Sequence, residues 1–277
     1  MTAKELEILA WRARLLILEG VHCAKSGHPG GSLSCVDAVT TLYFDEMQVD
    51  PAKARDPARD RFVLSKGHCA PALYAVLALR GFFPPEEMRM LRNIRGHLSG
   101  HPDMLSVPGV DMSTGSLGQG ISAAVGMALS ARQMRESYRT YAILGDGEIE
   151  EGQVWEAFMA AAKWKLDNLC AMIDCNGLQI DGTTDEVMPS EPLALKMTAF
   201  GWHVVTVNGH DYDALRAALA DARAARGRPT AILLQTVKGK GVSYMENQVG
   251  WHGKAPNDEQ YEAAVRELSA HLAALEA

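Results

Sequence analysis

The spacing of apolar residues changes character along the chain. Four β-rich runs stand out in the second half: Thr140 to Leu144, Asn168 to Ile173, Trp202 to Val207 and Thr230 to Val237. Between the first two, Val154, Trp155, Phe158, Met159 and Ala162 recur at helical spacing. Ala214 to Arg228 places Leu215, Ala218, Leu219 and Ala222 on one helix face, and Gly227 and Pro229 are stop signals. Strands alternating with helices of this length predict βαβ units, hence an α/β fold with a parallel sheet covered by helices on both faces. The first 135 residues read as mostly helical, apart from a short strand at Arg61 to Leu64, and a last helix is predicted near Glu259 to Leu275. No repeat, low-complexity block or linker divides the sequence, so residues 1–277 read as a single domain.

Composition narrows the function. With 277 residues, 47% of them hydrophobic, the chain is long enough for a core without staples. Its 27 basic and 34 acidic residues leave a net charge of −7, which argues against nucleic acid as a partner. No apolar run approaches the roughly 18 residues of a membrane span. Met1 to Glu19 mixes Lys4, Glu5, Glu7, Arg12 and Arg14 with apolar positions, unlike a signal peptide. A soluble, cytoplasmic protein is expected. Its five cysteines are scattered without a C-x-x-C pair, which argues against a disulfide framework or structural zinc and for buried, inert thiols.

Candidate chemistry gathers at predicted strand ends. Gly145-Asp146-Gly147 follows one strand and precedes a helix, and Asp174-Cys175-Asn176 ends the next. Ligands of open parallel sheets sit at those ends. A carboxylate and an amide oxygen there suit a hard cation, Mg²⁺ or Ca²⁺, that also takes phosphate oxygens. The Gly147 N–H, opening a helix, is placed to donate to the same phosphates. Read singly, Asp146-Gly147 and Asn176-Gly177 are also ordinary turn signals. The run from Thr114 to Gly120 offers a second amide-rich approach, and it is not a P-loop. His28, His68, His101 and His252 all lie in Gly- or Pro-containing loops. Without zinc-ligand spacing, they read as hydrogen-bonding and proton-transferring groups around a polar organic ligand.

Together these residues resemble a known family. G-D-G followed after 28 residues by the Asn of D-C-N resembles the thiamine diphosphate fingerprint. S-G-H-P-G-G, L-S-K-G-H-C-A-P, G-H-P-D, T-G-S-L-G-Q-G-I-S, G-D-G-E-I-E-E-G, T-V-K-G-K-G and W-H-G look specifically like transketolase, in that family's order from residue 26 to 254. The resemblance implies the diphosphate-binding fold and thiamine diphosphate with Mg²⁺, Ca²⁺ or Mn²⁺ being alternatives. It implies that Asp146, Asn176 and the Leu178 carbonyl hold the ion. The backbone of Gly115, Ser116, Leu117 and Gly147, with His68, Lys238 and His252, would contact the cofactor. His28 and His101, with His252 beside them, would serve the substrate and its protons. Glu151 resembles the family's interface glutamate, which couples paired active sites. Cys175 stands where members often have Asn, and Gly31 where some have Ser.

Single-chain transketolases are more than twice this length, and the match is to their N-terminal domain alone. The expectation is therefore the N-terminal subunit of a split transketolase, completed by a separate C-terminal subunit in an α₂β₂ assembly. That partner would supply the glutamate that activates the cofactor. The implied reaction moves a two-carbon ketol unit from a ketose, free or phosphorylated, to an aldose. The alternatives are the cofactor subunit of a 2-oxoacid dehydrogenase, a deoxyxylulose-phosphate synthase, or a non-catalytic binding module. The histidine set favours transketolase over the first two, and the intact Asp146 and Asn176 speak against the third.

Overall fold

Successive residues of a strand point to opposite faces of its sheet, and in this chain both sets are apolar. The computed structural model describes residues 1–277 and contains five strands. They are β1 (Arg61–Leu64), β2 (Thr140–Gly145), β3 (Leu169–Cys175), β4 (His203–Asn208) and β5 (Thr230–Gln235). All pair in parallel, in the order β1-β2-β3-β5-β4. Phe62, Leu64, Tyr141, Ile143, Cys170, Met172, Ile232 and Leu234 enter one core, and Val63, Ala142, Leu144, Ala171, Ile173, Ala231 and Leu233 the other.

The first core is closed by α1 (Ala3–Ala24), α2 (Pro29–Thr41), α3 (Ala70–Arg80), α8 (Tyr212–Ala224) and α9 (Asp258–Glu276). The second is closed by α4 (Gln119–Met134), α5 (Gly152–Lys163) and α7 (Leu193–Ala199), with the four-residue α6 (Thr184–Val187) leading into α7. Helices on both faces agree with the hydrophobic pattern. α1 begins with a capping box: Thr2 Oγ1 accepts from Glu5 N–H and the Glu5 carboxylate accepts from Thr2 N–H. No helix is long and apolar enough to cross a membrane.

Three details differ from the sequence reading. α5 buries Val154, Ala157, Phe158 and Ala161, whereas Met159, assigned to that face, is 61% exposed because it lies one residue past the stripe. α8 ends at Ala224 rather than Arg228: Ala225 is extended, and the Arg226 side chain donates back to the Arg223 and Ala225 carbonyls. β5 stops at Gln235, and Thr236 to Lys238 leave the sheet. All five cysteines are free; Cys35, Cys69 and Cys170 are buried, Cys175 is half-buried and Cys23 is exposed.

The strand order positions the chemistry. β5 inserts between β3 and β4, so the carboxyl ends of β2, β3 and β5 lie side by side. Asp146, Asn176 and Lys238 follow those three ends.

Candidate active site

At the end of β2 the chain turns at Asp146, a buried residue. Its Oδ1 accepts from the Gly147 N–H at 2.9 Å, and its Oδ2 from the Gly177 N–H at 2.6 Å, across the gap to the β3 turn. Burial pushes the Asp146 carboxyl up to about 6, and nearby Asp174 adds to the effect. The carboxylate is thus aligned by two amides but faces no side-chain cation within ion-pair distance.

Asn176 is oriented by two opposite demands. Its Nδ2 donates to Asp174 Oδ2 at 3.1 Å, and its Oδ1 accepts from the Leu178 N–H at 3.1 Å. Asp174 itself is fully buried and also accepts from Ser34 Oγ at 2.5 Å, from the Lys66 ammonium and from the Thr236 hydroxyl. The Leu178 carbonyl accepts from Lys238 Nζ at 3.1 Å, and the same ammonium donates to His252 Nδ1 at 2.9 Å. Burial, with Lys66 nearby, brings Lys238 down to about 8, and burial with Lys238 brings His252 down to about 3.

These groups border a cavity of about 270 Å³, whose wall includes Gly31, Lys66, His68, Gly115, Leu117, Asp146, Gly147, Asn176, Leu178, Lys238 and His252. The predicted site residues therefore converge, with four outside this wall. His28 and His101 extend the cluster outward: the His28 ring lies 5.3 Å from His68, 5.6 Å from His252 and 6.2 Å from His101, centre to centre. Burial and the neighbouring His68 lower His28 to about 4, and burial and Arg92 lower His101. Ser116 is exposed, and Glu151 is exposed at the start of α5 against Gly118. A larger hollow of about 450 Å³ lies elsewhere, but the guanidiniums of Arg59 and Arg61 within it are taken up by Asp111 and by backbone carbonyls.

The donor set suits a divalent cation with oxygen ligands. Side chains of His, Cys, Asp and Glu are nowhere grouped in threes as a metal site, so any ion here is held by one carboxylate, one amide oxygen and one carbonyl. A buried, unpaired carboxylate fits such an ion. The buried Nδ1 of His28 has no hydrogen-bond partner, which fits a polar ligand beyond the cavity.

Several residues of the site escaped the sequence reading. Lys66 and Asp174 form its buried floor. Glu148, also buried, accepts from Ser65 Oγ at 2.5 Å and from the amides of Gly118 and Gly145 at 3.0 and 3.1 Å, tying the glycine-rich loop to β2. Behind the floor, Asp37 joins Arg14, His210 and Tyr212. The one sequence signal was the presence of Lys66 and Asp174 inside motifs already singled out.

The family profile described as transketolase, thiamine diphosphate binding domain, matches residues 7–273. This chain belongs to the transketolase family. It is 46% identical over 276 residues to an apulose-4-phosphate transketolase subunit of Phocaeicola vulgatus, covering 100% of this chain and 98% of that one. It is 49% identical over 255 residues to the 6-deoxy-6-sulfo-D-fructose transketolase subunit SqwG of a Clostridium species, covering 92% and 93%. Human transketolase is 40% identical over 268 residues, which are 94% of this chain and 41% of that protein. Transketolase from Campylobacter jejuni superposes with a TM-score of 0.91 at 30% identity, over 97% of this chain and 43% of its own. The chain thus corresponds to the N-terminal, thiamine diphosphate-binding part of single-chain transketolases. Over nearly its whole length it also matches relatives that are themselves the N-terminal halves of two-subunit transketolases.

Proposed function

We propose that this chain works with a separate C-terminal subunit, in an α₂β₂ assembly, to transfer a two-carbon ketol unit from a ketose to an aldose. One observation carries the reading: the buried carboxylate, amide and carbonyl of Asp146, Asn176 and Leu178 share a cavity wall with His68 and His252, and His28 and His101 stand just outside it. The names of two relatives specify sugars ending in phosphate or sulfonate, and we place the donor in that class of anionic sugars.

Asp146, Asn176 and the Leu178 carbonyl hold Mg²⁺, or Ca²⁺ or Mn²⁺ in its place. Lys238, His68, His252 and the backbone of Gly115, Ser116, Leu117 and Gly147 hold thiamine diphosphate. The cofactor supplies the nucleophilic carbon and the electron sink that ketol transfer requires. The chain supplies proton handling: His28 and His101 are neutral near pH 7, so either accepts a proton from a sugar hydroxyl and returns it to an alkoxide. The unpartnered His28 Nδ1 is free for that contact. Glu151, exposed beside the glycine-rich loop, meets the partner assembly and couples its active sites.

The test is titration calorimetry and a ketol-transfer assay with thiamine diphosphate and Mg²⁺, on this chain alone and mixed with its candidate partner. Tight binding and turnover in the mixture support the proposal. Normal turnover by this chain alone refutes the need for a partner, and no binding in either sample refutes the cofactor reading.

A further inference from the structure

The segment that carries Lys238 is held by two buried carboxylates acting through intermediaries. On leaving β5, the Thr236 hydroxyl donates to Asp174 Oδ1, and the Gly239 N–H donates to the Gly30 carbonyl at 2.9 Å. Between them, the Val237 N–H donates to Nε2 of His210 at 2.9 Å. His210 lies in the turn between β4 and α8, and its Nδ1 is 2.7 Å from Asp37 Oδ2. An amide N–H only donates and an ionised carboxylate only accepts. The two partners therefore select one form of the ring: neutral, with the proton on Nδ1.

Asp37 is itself rigidly placed. It is 1% exposed and accepts from Arg14 through both oxygens, at 2.9 and 2.6 Å, and from the Tyr212 hydroxyl at 2.5 Å. Burial works to raise its pKa, but the Arg14 guanidinium and the bond from His210 outweigh it and hold the carboxyl well below the usual range. A fixed anion thus lies under α1 and α2, and His210 passes its position to the backbone one residue before Lys238.

We infer that His210 is a positioning residue for the cofactor site, fixing the Val237 backbone so that the Lys238 ammonium is aimed into the cavity at an anionic group such as a diphosphate. The inference rests on the reading of that cavity as the thiamine diphosphate site. His210 does not border the cavity, and its side chain is 14% exposed. It acts through Lys238 alone.

The test separates the two ends of the ring. In His210→Asn the amide nitrogen replaces Nδ1 and keeps the bond to Asp37, while nothing replaces Nε2. His210→Ala removes both. In the full chain assembled with its partner, His210→Asn is expected to keep the wild-type Tm, to speed hydrogen exchange at the Val237 amide, and to weaken thiamine diphosphate binding roughly three- to tenfold, the worth of one hydrogen bond. In a Lys238→Met background it is expected to add no further loss. Unchanged Val237 exchange, or a loss that adds fully to that of Lys238→Met, overturns the inference. Failure of the wild-type assembly to bind thiamine diphosphate overturns the cofactor reading instead. The inference is then decided by the rate at which an amine-reactive reagent acylates Lys238: altered in His210→Asn supports it, unchanged overturns it.

Discussion

The carboxylate of Asp174 lies 3.1 Å from the side-chain nitrogen of Asn176, and it is the same carboxylate that neutralises buried Lys66. One residue thereby sets the orientation of a proposed metal ligand and balances the charge beneath it. Removing one partner of a buried ion pair leaves the other charge uncompensated. Asp174→Ala is expected to lower stability by about 3–5 kcal/mol, read by denaturant unfolding. Wild-type stability in that variant would refute the pairing.

Asp146 is expected to behave in the opposite way. Its carboxylate is desolvated and its pKa raised, so the ionised form is costly to keep in the free protein. Asp146→Asn is expected to leave the Tm without cofactor equal or higher and to abolish Mg²⁺-dependent binding of thiamine diphosphate. Retained metal-dependent binding would remove Asp146 from the proposed ligand set.

The histidine cluster gives stability a pH dependence with a definite sign. His28 and His252 have folded pKa values of about 4 and about 3, below the ordinary value of about 6.5. Between those limits the unfolded chain binds protons that the folded chain refuses, so stability falls as pH drops below about 6.5. Asp146, with its raised pKa, opposes this between about pH 6 and 4, but it is one group against two. Urea midpoints from pH 7 to 4.5 are expected to decline, and to decline less steeply in His252→Gln. Equal slopes in the two proteins would contradict the neutral state of His252.

His101 stands outside the cavity wall, beyond His28, and so its loss should spare the cofactor. In the assembled enzyme, His101→Ala is expected to lower kcat by about 10²-fold or more, the usual worth of a general acid–base group, with cofactor affinity near wild type. Weakened cofactor binding at unchanged kcat would take His101 out of the substrate site.

Gly31 has a packing reason for departing from the serine of some family members. A Cβ at this position would lie 2.7 Å from the Cys69 sulfur. Gly31→Ser is expected to cost about 1–3 kcal/mol from overpacking, and the added substitution Cys69→Ala to restore most of it. Thermal unfolding of the two variants checks this, and additive losses would show that Cys69 is not the obstacle.

Strands and the metal-side ligands were legible in the sequence because both are local. β1 is continuous in sequence, and Asp146 and Asn176 are visible as polar residues that end apolar runs. Lys66 with Asp174 and Asp37 with His210 were not legible. Their partners lie 108 and 173 residues apart and meet only once the strand order is set. Met159 was misplaced for a different reason: a helix stripe read from apolar identity alone admits a residue that its angle excludes.

The insertion of β5 between β3 and β4 also orders events during synthesis. A nascent chain released only as far as β4 already contains Asp146 and Asn176, yet the sheet position between β3 and β4 is still empty. Lys238 and His252 are translated later still. Domains fold as their segments emerge, so the pocket closes only when roughly the last sixth of the polypeptide arrives, and a truncated product cannot sequester cofactor from the finished enzyme.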